Sequence, residues 1–229
     1  MIKESGNLYK FLAQNILYLN FVKAREAKII FKFLDLKKGE KVCDIACGSG
    51  QQSIKMEMRG CKVQGIDLSS RAIENAKLIA KGHDCTFQVG NAEKLPYASN
   101  IFDKVVSVCA LEHFKNDEKA LKEANRVLKS DGILVLTVDS FTYKGIKKDI
   151  QDKHKKDCYV NNYYSLTQLT EKLEKCGFEV EESKYFINSS LSSFFFDIGL
   201  KIRSVYIFAL TFPIAYSTLQ QFWKGMEIK

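Results

Sequence analysis

The thirteen residues from Lys41 to Ser53, Lys-Val-Cys-Asp-Ile-Ala-Cys-Gly-Ser-Gly-Gln-Gln-Ser, constrain this chain more than any other stretch. A short apolar strand over Val42 to Ile45 runs into a loop of small residues, and a helix begins near Gln51. Such a turn collects backbone N–H groups and the positive end of a helix in one place, because first-turn donors have no intrahelical partner, so a negative ligand group can sit there. Gly48 and Gly50 let a ligand come close to the backbone. A dinucleotide site would show Gly-x-Gly-x-x-Gly, whereas here the third small position is Ser53. Asp44, four residues before Gly48, would repel a pyrophosphate but suits a ligand bearing an ammonium or sulfonium group.

Strand and helix patterns alternate after the loop. The spacing predicts a helix over Gln51 to Arg59 ended by Gly60, a strand over Cys61 to Ile66, and a helix capped by Ser69 or Ser70 with Ala72, Ile73, Ala76, Ile79 and Ala80 as its apolar stripe. Thr86 to Val89 reads as a third strand. Ile101 to Cys109 reads as a fourth, its continuous apolar run suiting a buried central position. A helix over Asn116 to Leu128, a turn at Lys129 to Gly132 and a fifth strand over Ile133 to Val138 follow. The second strand ends in Asp67, where an acid beside the glycine loop can accept hydrogen bonds from both hydroxyls of a ribose.

The run Asp44-x-x-x-Gly48-x-Gly50 resembles motif I of the class I S-adenosylmethionine-dependent methyltransferases, with Ala46 standing where the first glycine is usual. Gly90-Asn91-Ala92-Glu93-Lys94-Leu95-Pro96-Tyr97 is similar to that family's Gly-Asp-Ala-Glu-x-Leu-Pro-Phe, and Leu111-Glu112-His113 to its segment after the fourth strand. The motifs keep family order from Asp44 to Asp139, about the middle half of the chain, and look most like the methyltransferases of quinone biosynthesis. The resemblance implies an α/β, Rossmann-like sheet of seven strands, mostly parallel with an antiparallel C-terminal strand, and helices on both faces. It implies S-adenosyl-L-methionine as cofactor and methyl transfer as activity. Asp44 would face the methionine ammonium, and Ala46, Cys47, Gly48 and Gly50 would form the loop against the donor. Asp67, with Leu68 beside it, would hold the ribose, and Asn91, Ala92 and Glu93 would read adenine. The backbone near Cys109 would meet the methionine moiety. His113 would face the transferred methyl as a substrate contact or base. No metal cluster is expected.

The flanks carry less information. Residues 1–36 read as an N-terminal helical cap, in which Tyr9, Tyr18 and Arg25 are candidates to line the site; residues 37–186 read as the cofactor-binding core; residues 187–229 read as an apolar C-terminal helical insertion and the start of the last strand. Residues 140–164 look like an irregular loop, with six lysines against Asp149 and Asp152 between Lys144 and Lys156. Ser165 and Gln168 form a capping box before a stripe of Leu166, Leu169 and Leu173, and Cys176-Gly177 ends that helix. Glu179 to Phe186 is expected, from the resemblance, as the sixth strand. From Ser204 to Trp223 there are twenty positions without a charge, long enough for a membrane span, but Pro213 and several polar residues dilute the run. An element lying on a membrane, or covering an apolar cleft, fits it better; a helical pair packed on the sheet or on another subunit is the alternative.

With 229 residues, 46% of them hydrophobic, one well-filled domain with appendages is expected. The chain opens without an apolar leader, so the cytoplasm is the default location, with membrane association as an extension. The formal charge of +8 suits solubility or attraction to an anionic membrane surface or acidic partner. A small-molecule or lipid-linked acceptor ranks first, a soluble small molecule second, and nucleic acid third; a binding protein without catalysis is the rival from another class. Seven cysteines without a Cys-x-x-Cys pair read as reduced core thiols; methyltransferases acting on arsenite hold the metalloid with several cysteines, a role for which Cys47, Cys109 or Cys158 are the candidates by that resemblance.

Overall fold

In the computed structural model, residues 21–138 and 148–183 are described. Five strands and six α-helices follow in order: α1 (Phe21–Leu34), β1 (Lys41–Ile45), α2 (Gln51–Glu57), β2 (Lys62–Asp67), α3 (Ser70–Ile79), β3 (Cys85–Val89), β4 (Phe102–Val108), α4 (Asp117–Val127), β5 (Leu128–Thr137), α5 (Lys148–Asp157) and α6 (Leu166–Lys175), with a 3₁₀ turn at Leu111–His113 between β4 and α4. The described sheet is parallel throughout, in the order β3-β2-β1-β4-β5.

Alternation along the central strands assigns the two faces. Val42 of β1 and Val106 of β4 pack with Ile30 and Leu34 of α1 and Met56 of α2. Cys43, Ile45 and Val105 point the other way, into a core shared with Ala120, Ala124 and Val127 of α4. On the first face, Ile54 of α2 and Ile73, Ala76 and Ile79 of α3 close over Phe87. Beside α4, Leu169 and Leu173 of α6 pack around Leu121, Tyr164 and Cys176. Both faces of β1 and β4 are covered, which is why apolar residues stand at successive positions in them, at Val42-Cys43 and Val105-Val106, and why Asp44, Lys104 and Ser107 beside them are buried too.

The strands run outward in both directions from β1: the chain goes to β2 and β3 on one side, then crosses back to β4 and β5 on the other. At such a switch point the connecting loops diverge and leave a crevice over the carboxyl ends of β1 and β4. Ser69 is the cap of α3, its hydroxyl accepting the Ala72 N–H, and the Ser165–Gln168 capping box forms as predicted.

Several details differ from the sequence expectations. Residues 140–164 are predicted to be a loop, yet Lys148–Asp157 is helical. Its charges explain this, since Asp149 with Lys153 and Asp152 with Lys156 are spaced i,i+4, acid first, the order that supports an exposed helix. The predicted turn at Lys129 to Gly132 is taken into β5 as an irregularity: Leu128 pairs with Phe102 and Ile133 with Lys104, so the intervening residues bulge while Leu128 stays buried. Leu166 is exposed instead of continuing the apolar stripe of α6. Residues 179–183 are outside the sheet, and the remainder of the predicted sixth strand lies outside the described residues, as do Tyr9, Tyr18 and the whole of 187–229. Among the described residues, no helix is long and apolar enough to cross a membrane.

Candidate functional site

The carboxyl end of β1 carries Asp44, opposite Gly65 of β2, and Asp67 ends β2 one position beyond the last paired residues, Ile45 and Ile66. The two predicted acids therefore sit on adjacent strands at one edge of the sheet. Their surroundings differ. Asp44 is only 2% exposed, and the Ser53 hydroxyl donates to its Oδ2 at 2.5 Å. Burial pushes its pKa up to about 7, with the neighbouring Asp67 charge adding to the rise and the Ser53 hydrogen bonds opposing it. Ser53, which in the sequence looks like a missing third glycine, is thus the side chain that holds the acid.

Asp67 organises the loop. The Gly48 N–H donates to its Oδ2 at 2.8 Å and the Ser69 N–H to its Oδ1 at 2.8 Å, so one carboxylate ties the glycine loop to the start of α3. The loop needs left-handed backbone: Gly48 has φ 54°, Gly50 has φ 76°, and Ala46, at the usual glycine position, has φ 58°. At Gly50 a Cβ would come within 2.8 Å of the Phe87 ring. At Gly48 nothing lies within 4 Å of that position, so the loop backbone faces open space there. Leu68, next to Asp67, is 73% exposed, an apolar side chain at the rim without cover.

Asn91 follows β3 at the same edge. Its Oδ1 accepts the Glu93 N–H at 2.8 Å, a local turn that occupies one of the two lone pairs on that oxygen. Ala92 is buried against Ile45 and Ile66. Glu93, expected at the adenine, has its Oε1 accepting the N–H of Asn116, the residue that caps α4, at 3.0 Å.

Cys109, the residue after β4, is in a left-handed conformation, φ 47°, its N–H donating to the Thr137 carbonyl at 3.0 Å. Its thiol donates to Glu26 Oε1 of α1 at 3.0 Å, and Lys23 Nζ lies 3.1 Å from the sulfur. Glu26, 1% exposed, also accepts from Lys23 at 2.8 Å and from the Thr137 hydroxyl at 2.7 Å. Despite the cost of burying it, Lys23 keeps its proton well above the ordinary lysine range, because the Cys109 and Glu26 groups favour its charge. The sequence reading misses Lys23, Glu26 and Thr137, although Glu26 stands four residues before Ile30, on the face of α1 that turns to the sheet. Arg25, the predicted candidate from this region, is half-buried.

His113 closes the 3₁₀ turn after β4, half-buried, with its Nδ1 3.3 Å from the Tyr159 carbonyl. Among the described residues, no three His, Cys, Asp or Glu side chains form a group that could hold a metal ion, so Cys47, Cys109 and Cys158 do not converge on one site. Burial pushes the Cys43 and Cys47 thiols far up, and both stay protonated. Among the described residues, the cysteines form no disulfide.

Residues 36–185 match the model of a family described as a methyltransferase domain. The protein MJ1252 of Methanocaldococcus jannaschii is 31% identical over 216 residues, covering 83% of this chain and 82% of its own. The ubiquinone/menaquinone biosynthesis C-methyltransferase UbiE of Neisseria meningitidis is 35% identical over 120 residues; that match takes in 49% of this chain and about half, 48%, of the relative. The fold is shared with the phosphoethanolamine N-methyltransferase 2 of Haemonchus contortus, solved in complex with S-adenosyl-L-methionine, at a TM-score of 0.67 and 22% identity over 88% of this chain and 48% of that one. An open parallel sheet with two acids beside a glycine loop at its switch point, and a family match across most of the chain, lead to one conclusion: this protein belongs to the methyltransferase-domain family and is a class I S-adenosylmethionine-dependent methyltransferase.

Proposed function

We propose that the crevice over β1, β2 and β4 binds S-adenosylmethionine with its ribose on Asp67 and its methionine end between Asp44 and Cys109, and that the acceptor is a small apolar or lipid-linked molecule such as a demethylated quinone ring. The observation that carries this reading is Asp67. Two of its lone pairs are already taken by backbone N–H groups, which fixes the carboxylate, and one lone pair on each oxygen is left for a ribose hydroxyl. Gly48 opens onto unfilled space at the same edge, and the exposed Leu68 side chain offers apolar cover to an adenine ring. Asn91 keeps one lone pair for the adenine amino group, and Ala92 lies beneath it. Asp44 is buried, so the methionine ammonium would be read at short range in a low dielectric, where a charge pair is strong. Glu93 is reassigned to the α4 cap.

The bound cofactor supplies a methyl group on a positively charged sulfur. What the chain must do is align an acceptor with it, exclude water and remove a proton where the acceptor carries one. His113, at the edge of the same crevice, is the residue for that last task. The acceptor class is supported by the activity for which the quinone-biosynthesis relatives are named and by the apolar run Ser204 to Trp223. We take the complete sheet to have seven strands with Gly225 to Lys229 returning antiparallel, residues 1–36 to form a cap and 187–229 an insertion near an anionic membrane surface.

Two experiments test this. Transfer of tritiated methyl from the donor is followed with demethylmenaquinone in detergent and with a catechol as a soluble acceptor; labelling of the quinone alone is expected, and labelling of the catechol alone overturns the acceptor class. Flotation of the full chain with liposomes is expected with acidic lipid and not with neutral lipid, and absence from both overturns the membrane part.

A further inference from the structure

The segment from Tyr159 to Tyr164 is strapped over the turn that carries His113. The backbone N–H groups of Asn161 and Asn162 both donate to the Glu112 carbonyl, at 2.8 and 3.1 Å. The Asn161 side-chain Nδ2 donates to the His113 carbonyl at 2.8 Å. The strap is itself anchored: Val160 is buried and its N–H reaches the Lys155 carbonyl, while the buried Tyr164 hydroxyl donates to Asp117 Oδ2 at 2.5 Å, and Lys172 holds Oδ1 of that acid at 2.8 Å. Tyr159, two residues past the end of α5, takes φ 54°, the left-handed conformation of a helix C-cap closed by the Val160 N–H returning to the Lys155 carbonyl, and the residue is 85% exposed. That conformation brings the Tyr159 carbonyl to 3.3 Å from His113 Nδ1. A carbonyl oxygen only accepts, so the proton in this contact is on Nδ1 and the lone pair of the neutral ring is on Nε2.

We infer that Tyr159, through its backbone, and Asn161 are positioning residues that hold His113 as the Nδ1–H tautomer and so present Nε2 as the base toward an acceptor whose nucleophilic atom carries a proton, a hydroxyl or an acidic ring C–H. This rests on the reading of His113 as the base. The acceptor's proton passes to Nε2, the ring becomes an imidazolium with both nitrogens protonated, and the electron pair left on the acceptor atom forms the bond to the methyl carbon as the carbon–sulfur pair returns to sulfur. The Nδ1–H bond to Tyr159 persists in the imidazolium and is strengthened by its charge. A histidine turned the other way would place its proton on the nitrogen that has to receive one.

The chain has three histidines, so imidazole ¹⁵N spectra of histidine-labelled protein are simple enough to assign, His113 being the signal lost in His113→Gln. In the wild-type protein the neutral His113 ring is expected as Nδ1–H, the form that free imidazole disfavours. Asn161→Ala removes the side-chain bond to the His113 carbonyl and is expected to shift the tautomer ratio about fivefold toward Nε2–H, the effect of one ordinary hydrogen bond. Asn161→Asp, which keeps the shape but turns a donor into an acceptor, is expected to do the same. An Nε2–H wild-type ring, or one ratio in all three proteins, overturns the inference. Quinone methylation by His113→Gln is a separate measurement. A tautomer set as described with an unchanged rate in that variant refutes the base, and with it the catalytic purpose of the strap, but not the strap's control of the ring.

Discussion

At the scale of single residues, the buried acid is the most informative. With its pKa raised to about 7, Asp44 is protonated in much of the unliganded protein at neutral pH, and a cationic ligand must find it ionised. Donor affinity is therefore expected to fall about tenfold between about pH 8 and pH 6, and titration calorimetry on Asp44→Asn is expected to show a flat profile over the same range. The sign for stability is opposite. A carboxyl whose folded pKa lies above its unfolded one stabilises the fold at low pH and loses that contribution as pH rises through about 7, so the gain in melting temperature from Asp44→Asn should be larger at pH 8 than at pH 5.5. Ala46 makes a second test. A left-handed alanine costs about 1 kcal/mol relative to glycine, so Ala46→Gly is expected to raise the melting temperature by about 2–4 °C.

At the scale of elements, what could be read in advance follows burial. β1 and β4 are covered on both faces, and their apolar runs mark them without ambiguity; α3 and α4 declare themselves by their stripes and caps. Elements whose reasons are electrostatic or irregular are harder to see. α5 has few apolar residues, and only its charge spacing marks it. The bulge in β5 depends on Leu128 reaching Phe102, a tertiary contact that local turn chemistry does not announce. The same division holds in the site: Asp44, Asp67 and the glycines lie in one contiguous pattern, whereas Glu26 and Lys23 reach Cys109 from a helix more than eighty positions away. The loop's tolerance is a test of this packing. Gly50→Ala puts a Cβ into the Phe87 ring at a left-handed position and is expected to cost about 2 kcal/mol or more, with a matching loss of donor binding. Ser165→Ala removes the cap of α6, and about 1 kcal/mol of stability is expected to go with no change in donor affinity. Thermal unfolding beside calorimetry separates the two outcomes.

At the scale of the whole molecule, the strand order puts the acids, the glycine loop, Cys109 and His113 along one edge, although they lie as far apart in sequence as Asp44 and His113. That convergence is a property of the parallel sheet and its switch point, and it is the central claim here. Calorimetric titration of the full chain with S-adenosylmethionine, in parallel with Asp67→Ala, tests it most directly. One donor per chain is expected for the wild type, with affinity lowered about 30-fold or more in the variant, as two charge-assisted hydrogen bonds to the ribose are lost. Absence of binding by the wild-type chain, or equal affinity in the two proteins, would contradict it.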